Sequence, residues 1–322
     1  MKNKLQFFLK CYIIDLRKKF LRIRENNTKG KIMRKIHVIS NPVAGKAKAD
    51  KNLHIVKKIL MGKDIDHEVH FSRAKGDATQ IAKALTSQGE KEIVALGGDG
   101  TLHEVLNGLV EPTACKLGLI PSGTGNDFAE HIGLPFDAQK ATDVILNGQV
   151  KATDYLEVGG VRCMNVAGIG MDVDVLERCQ KGKLKGKIKY YLSLIQSLFS
   201  YKGIKVMMEK NGEVIQQDVL IAAVCNGSQF GGGIRICPNA KENDGKLEAV
   251  VVDCIGGKFK LIKALLTLLK GRILQYPATT HSLCERIVFK TEKPCTLQMD
   301  GELYKGLTFD AKICKGLQFY RP

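Results

Sequence analysis

The 322-residue chain carries a net charge of +17 and is 44% hydrophobic and 26% charged, with 33 glycines, 8 prolines and no tryptophan. These proportions exclude a disordered or fibrous chain, and the length allows two domains. No run approaches the roughly 20 apolar residues that span a bilayer, and the N-terminus lacks the pattern of a signal peptide, so we expect a cytoplasmic protein.

The basic excess is concentrated at the N-terminus, where residues 1–35 hold 12 Lys or Arg against Asp15 and Glu25, a net charge of +10. Residues 5–23 place apolar side chains three or four apart and basic ones every seven, which is the pattern of an amphipathic, cationic helix. Such a helix suits an anchor on anionic lipid. The alternatives are a helix packed on the protein body, or a protein that begins at Met33.

Strand-like and helix-like segments alternate along the first half of the chain. The predicted strands are residues 36–39, 67–71, 92–96 and 116–120, and the predicted helices are residues 50–61, 77–88 and 102–109, with Asp77 as the cap of the second. This alternation is typical of a parallel, doubly wound sheet, which binds ligands at the carboxyl ends of its strands. Three turns rich in glycine or proline, at residues 41–46, 97–101 and 121–127, therefore lie at that edge.

After about Asp154 the chain becomes rich in strands, which we predict at residues 156–158, 204–209, 218–225, 247–252, 286–290 and 295–299. Two lysine-rich segments interrupt them: residues 178–189 lead into the apolar residues 190–201, and residues 258–272 set leucines against basic side chains. The predicted fold is therefore α/β: a doubly wound domain with a glycine-rich turn, followed by a β-rich, mostly antiparallel domain.

Ten cysteines occur singly, none in a CxxC pair, and the seven histidines do not cluster with them along the sequence. A zinc site that can be recognised from sequence needs ligands at short spacing. We therefore expect reduced, buried cysteines, as in a cytosolic protein, and no zinc site.

The turn Gly97-Gly98-Asp99-Gly100-Thr101 lies between a predicted strand and a predicted helix. Glycines let backbone N–H groups approach a ligand closely, and the start of the following helix favours phosphate. An aspartate at such a turn is costly unless a cation joins it, and Mg²⁺ bound to nucleotide phosphates supplies that cation. The spacing excludes a P-loop and a dinucleotide-binding fingerprint, and the alternative is a β-turn without a ligand.

Four motifs occur in order along the chain: Asn41-Pro42-Val43-Ala44-Gly45-Lys46, Gly76-Asp77-Ala78, Gly97 to Gly108, and Pro121 to Ala129. Later pieces are Asn165 to Gly170 followed by Asp172, Asn226-Gly227-Ser228, Phe230 to Gly233, Pro238-Asn239-Ala240, Asn243-Asp244-Gly245, and Asp300-Gly301-Glu302. From about Arg34 to the C-terminus the chain closely resembles bacterial diacylglycerol kinases and the catalytic domain that they share with sphingosine and ceramide kinases. Because the motifs occur together and in order, the resemblance is highly specific.

The resemblance implies that ATP is the phosphoryl donor, that Mg²⁺ is the cofactor and that a lipid hydroxyl is the acceptor, with diacylglycerol converted to phosphatidic acid. It implies that Asp300 is the general base. The implied ATP-binding residues are Asn41, Pro42, Val43, Ala44, Gly45, Ser72, Gly98, Asp99, Gly100, Thr101, Leu102, His103, Glu104, Thr124 and Glu302. A structural Mg²⁺ site is implied at Asp244 with the backbone carbonyls of Lys241 and Lys246, and a supporting aspartate network at Asp127 and Asp154.

The implied domains are a basic extension at residues 1–32, a nucleotide-binding domain at 33–153 that is completed by a return strand at 308–322, and a lipid-binding domain at 154–307. We expect peripheral association with the anionic inner face of the membrane, because basic and apolar segments interrupt the strands of the β-rich domain. A homodimer stays open.

Two positions depart from the family pattern. Position 103 is histidine where many bacterial members have asparagine and sphingosine-kinase-like sequences often have histidine, which leaves a sphingoid base, ceramide or another lipid open as acceptor. Ser72 stands where threonine is common, which keeps the hydroxyl.

Other functional classes fit less well. NAD kinases share the Gly-Gly-Asp-Gly turn, but their Asn-Glu pair and Thr-Gly-Ser-Thr run are absent. A non-catalytic regulator on this fold would have lost carboxylates that are present here, among them Asp99, Asp300 and Glu302. The sequence contains no motif for nucleic-acid binding, so we expect no nucleic-acid partner.

Overall fold

A single 13-stranded sheet runs through the computed structural model, which describes residues 34–45, 48–181 and 187–322. The predicted helix at residues 5–23 lies outside the described residues. The strands are β1 Lys35–Ser40, β2 Asp66–Phe71, β3 Glu92–Gly97, β4 Lys116–Pro121, β5 Gln149–Val158, β6 Val161–Cys163, β7 Val166–Gly170, β8 Ile204–Lys210, β9 Glu213–Cys225, β10 Leu247–Asp253, β11 Thr279–Cys284, β12 Arg286–Met299 and β13 Glu302–Arg321. The helices are α1 Lys48–Gly62, α2 Asp77–Ser87, α3 Asp99–Gly108, α4 Asp127–His131, α5 Ala138–Asn147, α6 Met171–Lys181, α7 Lys187–Ser200 and α8 Lys258–Leu269, with 3₁₀ turns at Pro112–Ala114 and Ile273–Gln275.

The first half is the doubly wound unit that the alternating pattern predicts. Its four strands are parallel and lie in the order β4-β3-β1-β2. Helix α1 packs on α5, and α2 packs on α3. All six residues of β3 are buried, as a strand covered on both faces should be. The α/β prediction is confirmed.

The predicted cap of α2 is wrong. The N-cap is Gly76, with a φ of +89°, and Asp77 is the first helical residue. The carboxylate of Asp77 instead accepts hydrogen bonds from the backbone N–H groups of residues 73–74. Glu104 of the neighbouring helix accepts the N–H groups of Gly76 and Ala78 (2.9 and 3.1 Å), so a tertiary contact supplies the cap that the local pattern assigned to Asp77.

The second half is antiparallel and β-rich, as predicted. Its strands lie in the order β11-β10-β9-β7-β12-β13, and helices α6, α7 and α8 contribute to the core on one face. The predicted separate strands at 286–290 and 295–299 are one strand, β12, whose register shifts between Lys290 and Cys295. Pro294 lies in this irregular stretch, where its missing N–H is tolerated.

Strand β13 joins the two halves. Its first part pairs antiparallel with β12, and its last part pairs parallel with β4 and antiparallel with β5. Near its end, Phe319 is fully buried and packs edge-on against Phe128, with ring centroids 5.4 Å apart. The strand thereby belongs to the sheet of both halves, and the domain limits given above stay a prediction.

The cysteines of the described residues are all free thiols. Five are buried, and the others are partly or fully exposed, as at Cys254, so the expectation of buried cysteines holds for only part of the set. Among the helices of the described residues, none is both long and apolar enough to cross a membrane.

Candidate active site

A cleft of about 430 Å³ opens at the carboxyl edge of the parallel strands. It is lined by Asn41, Val43, Ala44, Gly45, Ser72, Arg73, Ala74, Lys75, Ala78, Gly98, Gly100, Thr101, Glu104, Gly123 and Glu302. The turns after β1, β2, β3 and β4 all contribute, because the ends of parallel strands meet at one edge of a sheet. We call this space the edge cleft.

Glycines bring three of these turns together. A Cβ on Gly98 would lie 2.9 Å from the Cα of Gly123, and a Cβ on Gly123 would lie 2.5 Å from the Cα of Gly98. Gly45 has a φ of +59°, and a Cβ there would lie 2.0 Å from the carbonyl oxygen of Ser122. Side chains at these positions would push the turns apart, so the backbone contact itself requires glycine.

The glycine turn after β3 is the first turn of a helix. Helix α3 begins at Asp99, with Gly98 as its N-cap, three residues before the predicted start at Leu102. Gly100 and Thr101 thus belong to the first turn of α3, and both line the edge cleft. The positive end of the helix dipole and unpaired N–H groups at this end favour a phosphate in the cleft.

Two basic side chains complete the edge cleft, and sequence analysis did not single them out. Arg73 and Lys75 follow β2, and the ammonium of Lys75 pairs with the carboxylate of Glu302 across the cleft. Lys75 is largely exposed, so the pair adds little stability. Their position in the sequence could have indicated this role, because they lie between Ser72, an implied ATP-binding residue, and the Gly76-Asp77-Ala78 motif.

The predicted ATP-binding residues fall into three groups. Those that line the edge cleft are Asn41, Val43, Ala44, Gly45, Ser72, Gly98, Gly100, Thr101, Glu104 and Glu302. Asp99 and Thr124 line a second cavity instead. Leu102 and His103 are buried, Leu102 in the apolar core, and Pro42 belongs to the first turn without lining the cleft.

The second cavity, of about 370 Å³, lies between the two halves and is called here the acidic cavity. Its carboxylates are Asp99, Asp127, Asp172 and Asp300. Its apolar lining includes Val166 of β7, Leu176 and Cys179 of α6, and Phe230. The cavity can therefore accommodate a ligand that is apolar at one end and carries a polar group at the other.

Asp99 is under electrostatic strain. Burial first, and then the neighbouring charges of Asp127 and Asp300, raise its pKa to about 7 against backbone hydrogen bonds that lower it. The backbone N–H groups of Asn126 and Phe128 donate to its carboxylate, at 2.7 and 3.3 Å. A cation beside Asp99 would relieve the repulsion and favour the ionised form.

Two more aspartates of the cavity share this property. Burial raises the pKa of Asp127, although Gly232 N–H (2.9 Å) and the Gln229 amide (3.1 Å) donate to its carboxylate. Burial also raises the pKa of Asp172 to about 6, and its Oδ1 has no hydrogen-bond partner within the described residues. Sequence analysis noted Asp172 only as part of a motif. Its place beside an Asn-Val-Ala-Gly-Ile-Gly strand gave no sign that it faces a cavity.

Asp300 lies in a two-residue hairpin turn. Asp300 and Gly301 have φ values of +50° and +88° and join β12 to β13, as in a type I′ turn. Asp300 lines the acidic cavity, whereas Glu302, two residues on, lines the edge cleft. The backbone of this segment is thus a β-turn, and the turn directs its two carboxylates to different cavities.

The Asp300 carboxylate is held by several donors. Backbone N–H groups of Met164 and Asn165 donate at 2.7 and 2.9 Å, and the Cys163 thiol lies at 3.2 Å. His103 Nδ1 lies 3.2 Å from the carboxylate. Burial alone would raise the pKa of Asp300, but these hydrogen bonds and the charge of His103 outweigh it, so the pKa lies below its ordinary value.

His103 connects Asp300 to a residue that sequence analysis missed. Its Nε2 lies 2.8 Å from the Tyr304 hydroxyl, on the opposite side of the ring from Asp300. His103 thus contacts the Asp300 carboxylate through one ring nitrogen and the Tyr304 hydroxyl through the other. The His103 side chain therefore contacts the Asp300 carboxylate and is not among the residues that line the edge cleft.

The predicted metal residues lie away from both cavities. Asp244 is exposed, and its Oδ1 accepts the backbone N–H of Lys246 at 3.0 Å, while the Lys246 ammonium pairs with Glu285. Asp154 accepts the Gly245 N–H at 2.7 Å, beside Asp244. Of the predicted aspartate network, Asp127 lines the acidic cavity and Asp154 supports the turn of Asp244, and the network itself stays a prediction.

Known proteins share this arrangement. Residues 35–158 match the family described as diacylglycerol kinase catalytic domain, and residues 165–316 match the YegS C-terminal NAD kinase beta sandwich-like domain. A crystal structure of a protein from Bacillus anthracis str. Sterne, described as a candidate diacylglycerol kinase, has a TM-score of 0.75 at 26% identity, over 91% of this chain and 98% of that one. The two matched regions define a kinase catalytic domain followed by a β-sandwich-like domain.

Individual relatives narrow the assignment. The diacylglycerol kinase of Bacillus subtilis (strain 168) is 30% identical over 283 residues, which cover 85% of this chain and 91% of that protein. The diacylglycerol kinase of Mycobacterium tuberculosis (strain ATCC 25618 / H37Rv) is 29% identical over 248 residues, which cover 74% and 79%. The chain belongs to the diacylglycerol kinase family.

Proposed function

We propose that the protein transfers the γ-phosphoryl group of ATP to the hydroxyl group of diacylglycerol and so forms phosphatidic acid. One observation carries this proposal: the motifs Gly98-Asp99-Gly100 and Asp300-Gly301-Glu302 each contribute residues to both cavities. Gly98 and Gly100 line the edge cleft while Asp99 lines the acidic cavity, and Glu302 and Asp300 divide in the same way. A donor in one cavity and an acceptor in the other would meet at these residues.

The edge cleft suits ATP. Its phosphates would lie at the start of α3, near Arg73 and Lys75, and the Lys75–Glu302 pair would exchange one partner for a phosphate. The residues named above as lining the cleft are the proposed ATP-binding residues. Phosphoryl transfer depends mainly on positioning and charge neutralisation, which such a cleft can provide.

The carboxylates of the acidic cavity fit Mg²⁺. Burial and mutual repulsion raise the pKa of Asp99 to about 7, and a divalent cation beside Asp99 and Asp127 would offset both. Bound Mg²⁺ would neutralise charge on the phosphates, whose oxygens would complete its ligand set. For a second, structural Mg²⁺ we propose Asp244 with the carbonyl groups of Lys241 and Lys246, since an exposed carboxylate is available there.

Asp300 is the proposed general base. Its carboxylate stays ionised at neutral pH, because its pKa lies below the ordinary value. Hydrogen bonds from the backbone N–H groups of Met164 and Asn165, just before β7, fix the orientation of the carboxylate. The acceptor oxygen forms a bond to the γ-phosphorus, the bond to the β–γ bridging oxygen of ATP breaks, and the hydroxyl proton passes to Asp300. ADP and the phosphorylated lipid are the products.

Substrate choice is tested with a lipid panel. Purified protein, labelled ATP and Mg²⁺ are incubated with mixed micelles of diacylglycerol, sphingosine, ceramide or polyprenol, and with NAD in solution. We expect label in phosphatidic acid. Label only in NAD, or in none of the lipids, would contradict the proposal, and label only in a sphingoid base or ceramide would move the acceptor to the alternative that His103 suggested.

An exposed apolar face lies next to the acidic cavity. Helix α6 lines the cavity and packs on α7, which in turn contacts α8. Exposed apolar side chains on α7 and α8 are Leu192, Ile195, Phe199, Phe259, Ile262, Leu266 and Leu269, and exposed basic side chains beside them are Lys260, Lys263, Lys270 and Arg272. We propose that this surface, the α7–α8 face, docks on the anionic inner face of the membrane.

Phe259 offers a direct test of docking, because 91% of its surface is exposed. We expect Phe259→Ser to weaken binding to anionic vesicles by roughly 10- to 100-fold, since burying a phenylalanine contributes about 1.5–3 kcal/mol. Sedimentation with vesicles of mixed neutral and anionic lipid measures this, and turnover of a soluble short-chain substrate should not change. Val214→Ser, an exposed apolar position on β9, is the control. Equal vesicle binding by wild type and Phe259→Ser would contradict the proposal.

A homodimer stays a prediction, and the proposed reaction does not depend on it. The residues that line the edge cleft and the acidic cavity are supplied by one chain. We propose the functional division given above, with nucleotide binding at 33–153 and 308–322, lipid binding at 154–307, and a basic extension at 1–32.

A further inference from the structure

Four side chains of metal-ligating type meet on the helix-covered face of the second half. Cys225, at the end of β9, lies directly opposite Glu248 of β10, and His281 of β11 lies opposite Val250 of the same strand. Directly paired residues and residues two apart along a strand project from the same face of a sheet, so all three side chains share that face. Cys237 comes from the loop that follows β9.

The distances match a compact ligand set. The Cys237 sulfur, a Glu248 carboxylate oxygen and a His281 ring nitrogen all lie within 4.8 Å of one another. The Cys225 thiol lies next to the Cys237 thiol. In tetrahedral zinc sites the bonds are about 2.0–2.3 Å long, which places ligand atoms about 3.3–3.8 Å apart. Small side-chain movements would close this set around an ion.

We propose that Cys225, Cys237, Glu248 and His281 form a structural Zn²⁺ site. Two thiolates, one imidazole and one carboxylate are ligands that Zn²⁺ accepts in four-coordinate sites. Mg²⁺ and Ca²⁺ prefer oxygen ligands, so this ligand set discriminates against the cations proposed for the catalytic site.

Burial and charge support a cation at this position. Glu248 is only 6% exposed, and a buried carboxylate needs a positive partner. His281 contacts it and is about one-third exposed, which leaves an entry path from solvent. Zn²⁺ would displace the thiol protons, as metals do at cysteine ligands.

The site would stabilise a segment that lines the acidic cavity. Cys237 belongs to the same loop as Gly232, whose N–H donates to Asp127. The loop is closed by hydrogen bonds between Phe230 and Ile234 and from the Cys237 N–H to the Ser228 carbonyl. A metal that bridges Cys237 to β9, β10 and β11 would fix the base of this loop on the sheet, about five residues from the cavity wall.

A competing cluster must be separated from this one. His37, Glu68 and His70 lie together on β1 and β2, with His37 Nδ1 and His70 Nε2 3.1 Å apart. This group has no thiol, and Glu68 is about half exposed. It therefore serves as an internal control for adventitious binding of zinc by histidine.

The test is zinc content and affinity in untagged, full-length protein purified in reducing buffer. After dialysis, we expect elemental mass spectrometry to find one equivalent of zinc per protein. After exchange with Co²⁺, we expect the absorption bands of tetrahedral, thiolate-bound Co²⁺. We expect Cys237→Ala and His281→Ala each to weaken zinc affinity by roughly 10–100-fold or more, because removing even a hydrogen-bond partner of a metal ligand costs that much. His281→Ala is the safer variant for folding, because His281 is partly exposed.

Two matched variants control the result. Cys284→Ala removes a buried thiol on the opposite face of β11, and His70→Ala disrupts the competing cluster; both should keep the equivalent of zinc. The proposal is overturned if wild-type protein retains no zinc, if His70→Ala loses it, or if both ligand variants keep it.

Discussion

We expect Asp99→Asn to lose phosphoryl transfer and, in the absence of Mg²⁺, to be more stable than the wild type at pH 8. The loss of turnover should be about 10³-fold or more, because a preorganised charge next to transferring phosphates contributes at least as much as an oxyanion-hole donor, whose loss costs about 10²–10³-fold. The gain in stability follows from the raised pKa of Asp99.

The sign of the stability effect depends on pH. Between the ordinary pKa of 3.8 and the folded value of about 7, the native state holds a proton that the unfolded state has lost, so the free energy of unfolding falls as pH rises. About three pKa units correspond to about 4 kcal/mol. The amide that replaces the carboxylate can accept only one of the two N–H groups that Asp99 accepts, which costs about 1–3 kcal/mol. A net gain of about 1–3 kcal/mol at pH 8 remains.

Thermal unfolding at pH 5 and pH 8, with and without Mg²⁺, measures this effect. The difference between variant and wild type should be larger at pH 8 than at pH 5, and Mg²⁺ should stabilise the wild type more than the variant. Asp66→Asn, an exposed position on β2, is the control and should match the wild type at both pH values and in its response to Mg²⁺. An Asp99→Asn protein that is active, or that gains nothing between pH 5 and pH 8, would remove Asp99 from the proposed metal site.

Asp300→Asn should reduce turnover by about 10²–10⁴-fold while ATP binding is retained, because the carboxylate that takes the proton is lost and the edge cleft is unchanged. The structure adds a cost in stability. The N–H groups of Met164 and Asn165 point at the carboxylate, and an amide NH₂ facing either of them would cost about 1–3 kcal/mol. Single-turnover kinetics and ATP titration of the folded variant separate the two effects, and wild-type turnover would remove the general-base assignment.

His103→Asn distinguishes a base from a structural carboxylate at position 300. His103 lowers the pKa of Asp300, so its removal should raise that pKa and move the acid limb of the kcat–pH profile to higher pH. Tyr304→Phe keeps His103 and removes only the contact to its far nitrogen, so a smaller movement is expected. A profile that is the same in all three proteins would mean that Asp300 does not titrate in the reaction.

The sequence predicts the first half well, because parallel strands buried on both faces leave continuous apolar runs and their turns carry glycines at fixed places. Its failures there are tertiary: Asp77 is a plausible cap by local pattern, but Glu104 from another helix performs that role. In the second half, the sequence pattern predicted separate strands at 286–290 and 295–299, where a register shift allows one strand.

The site residues were predicted by motif, and motif positions alone do not tell which cavity a side chain faces. In the helix turn, Gly98 and Gly100 line the edge cleft while Asp99 lines the acidic cavity. In the hairpin, Asp300 lines the acidic cavity and Glu302 lines the edge cleft, and only the backbone geometry decides this division. The proposed zinc ligands show the same limit more strongly. Cys225 and His281 are 56 positions apart in the sequence. They come close together only because β9, β10 and β11 are adjacent strands of the sheet.

The path of β13 has a consequence for dissecting the protein genetically. The family match to the catalytic domain ends at residue 158, yet the sheet of that region is completed by residues 317–320 of β13. A fragment that stops at 158 would leave β4 with an unpaired edge and expose the core around Phe128, which invites aggregation. A fragment for expression should therefore include the whole chain from β1 to β13. A circular permutant in which β13 directly precedes β1 in the sequence would keep the same pairing.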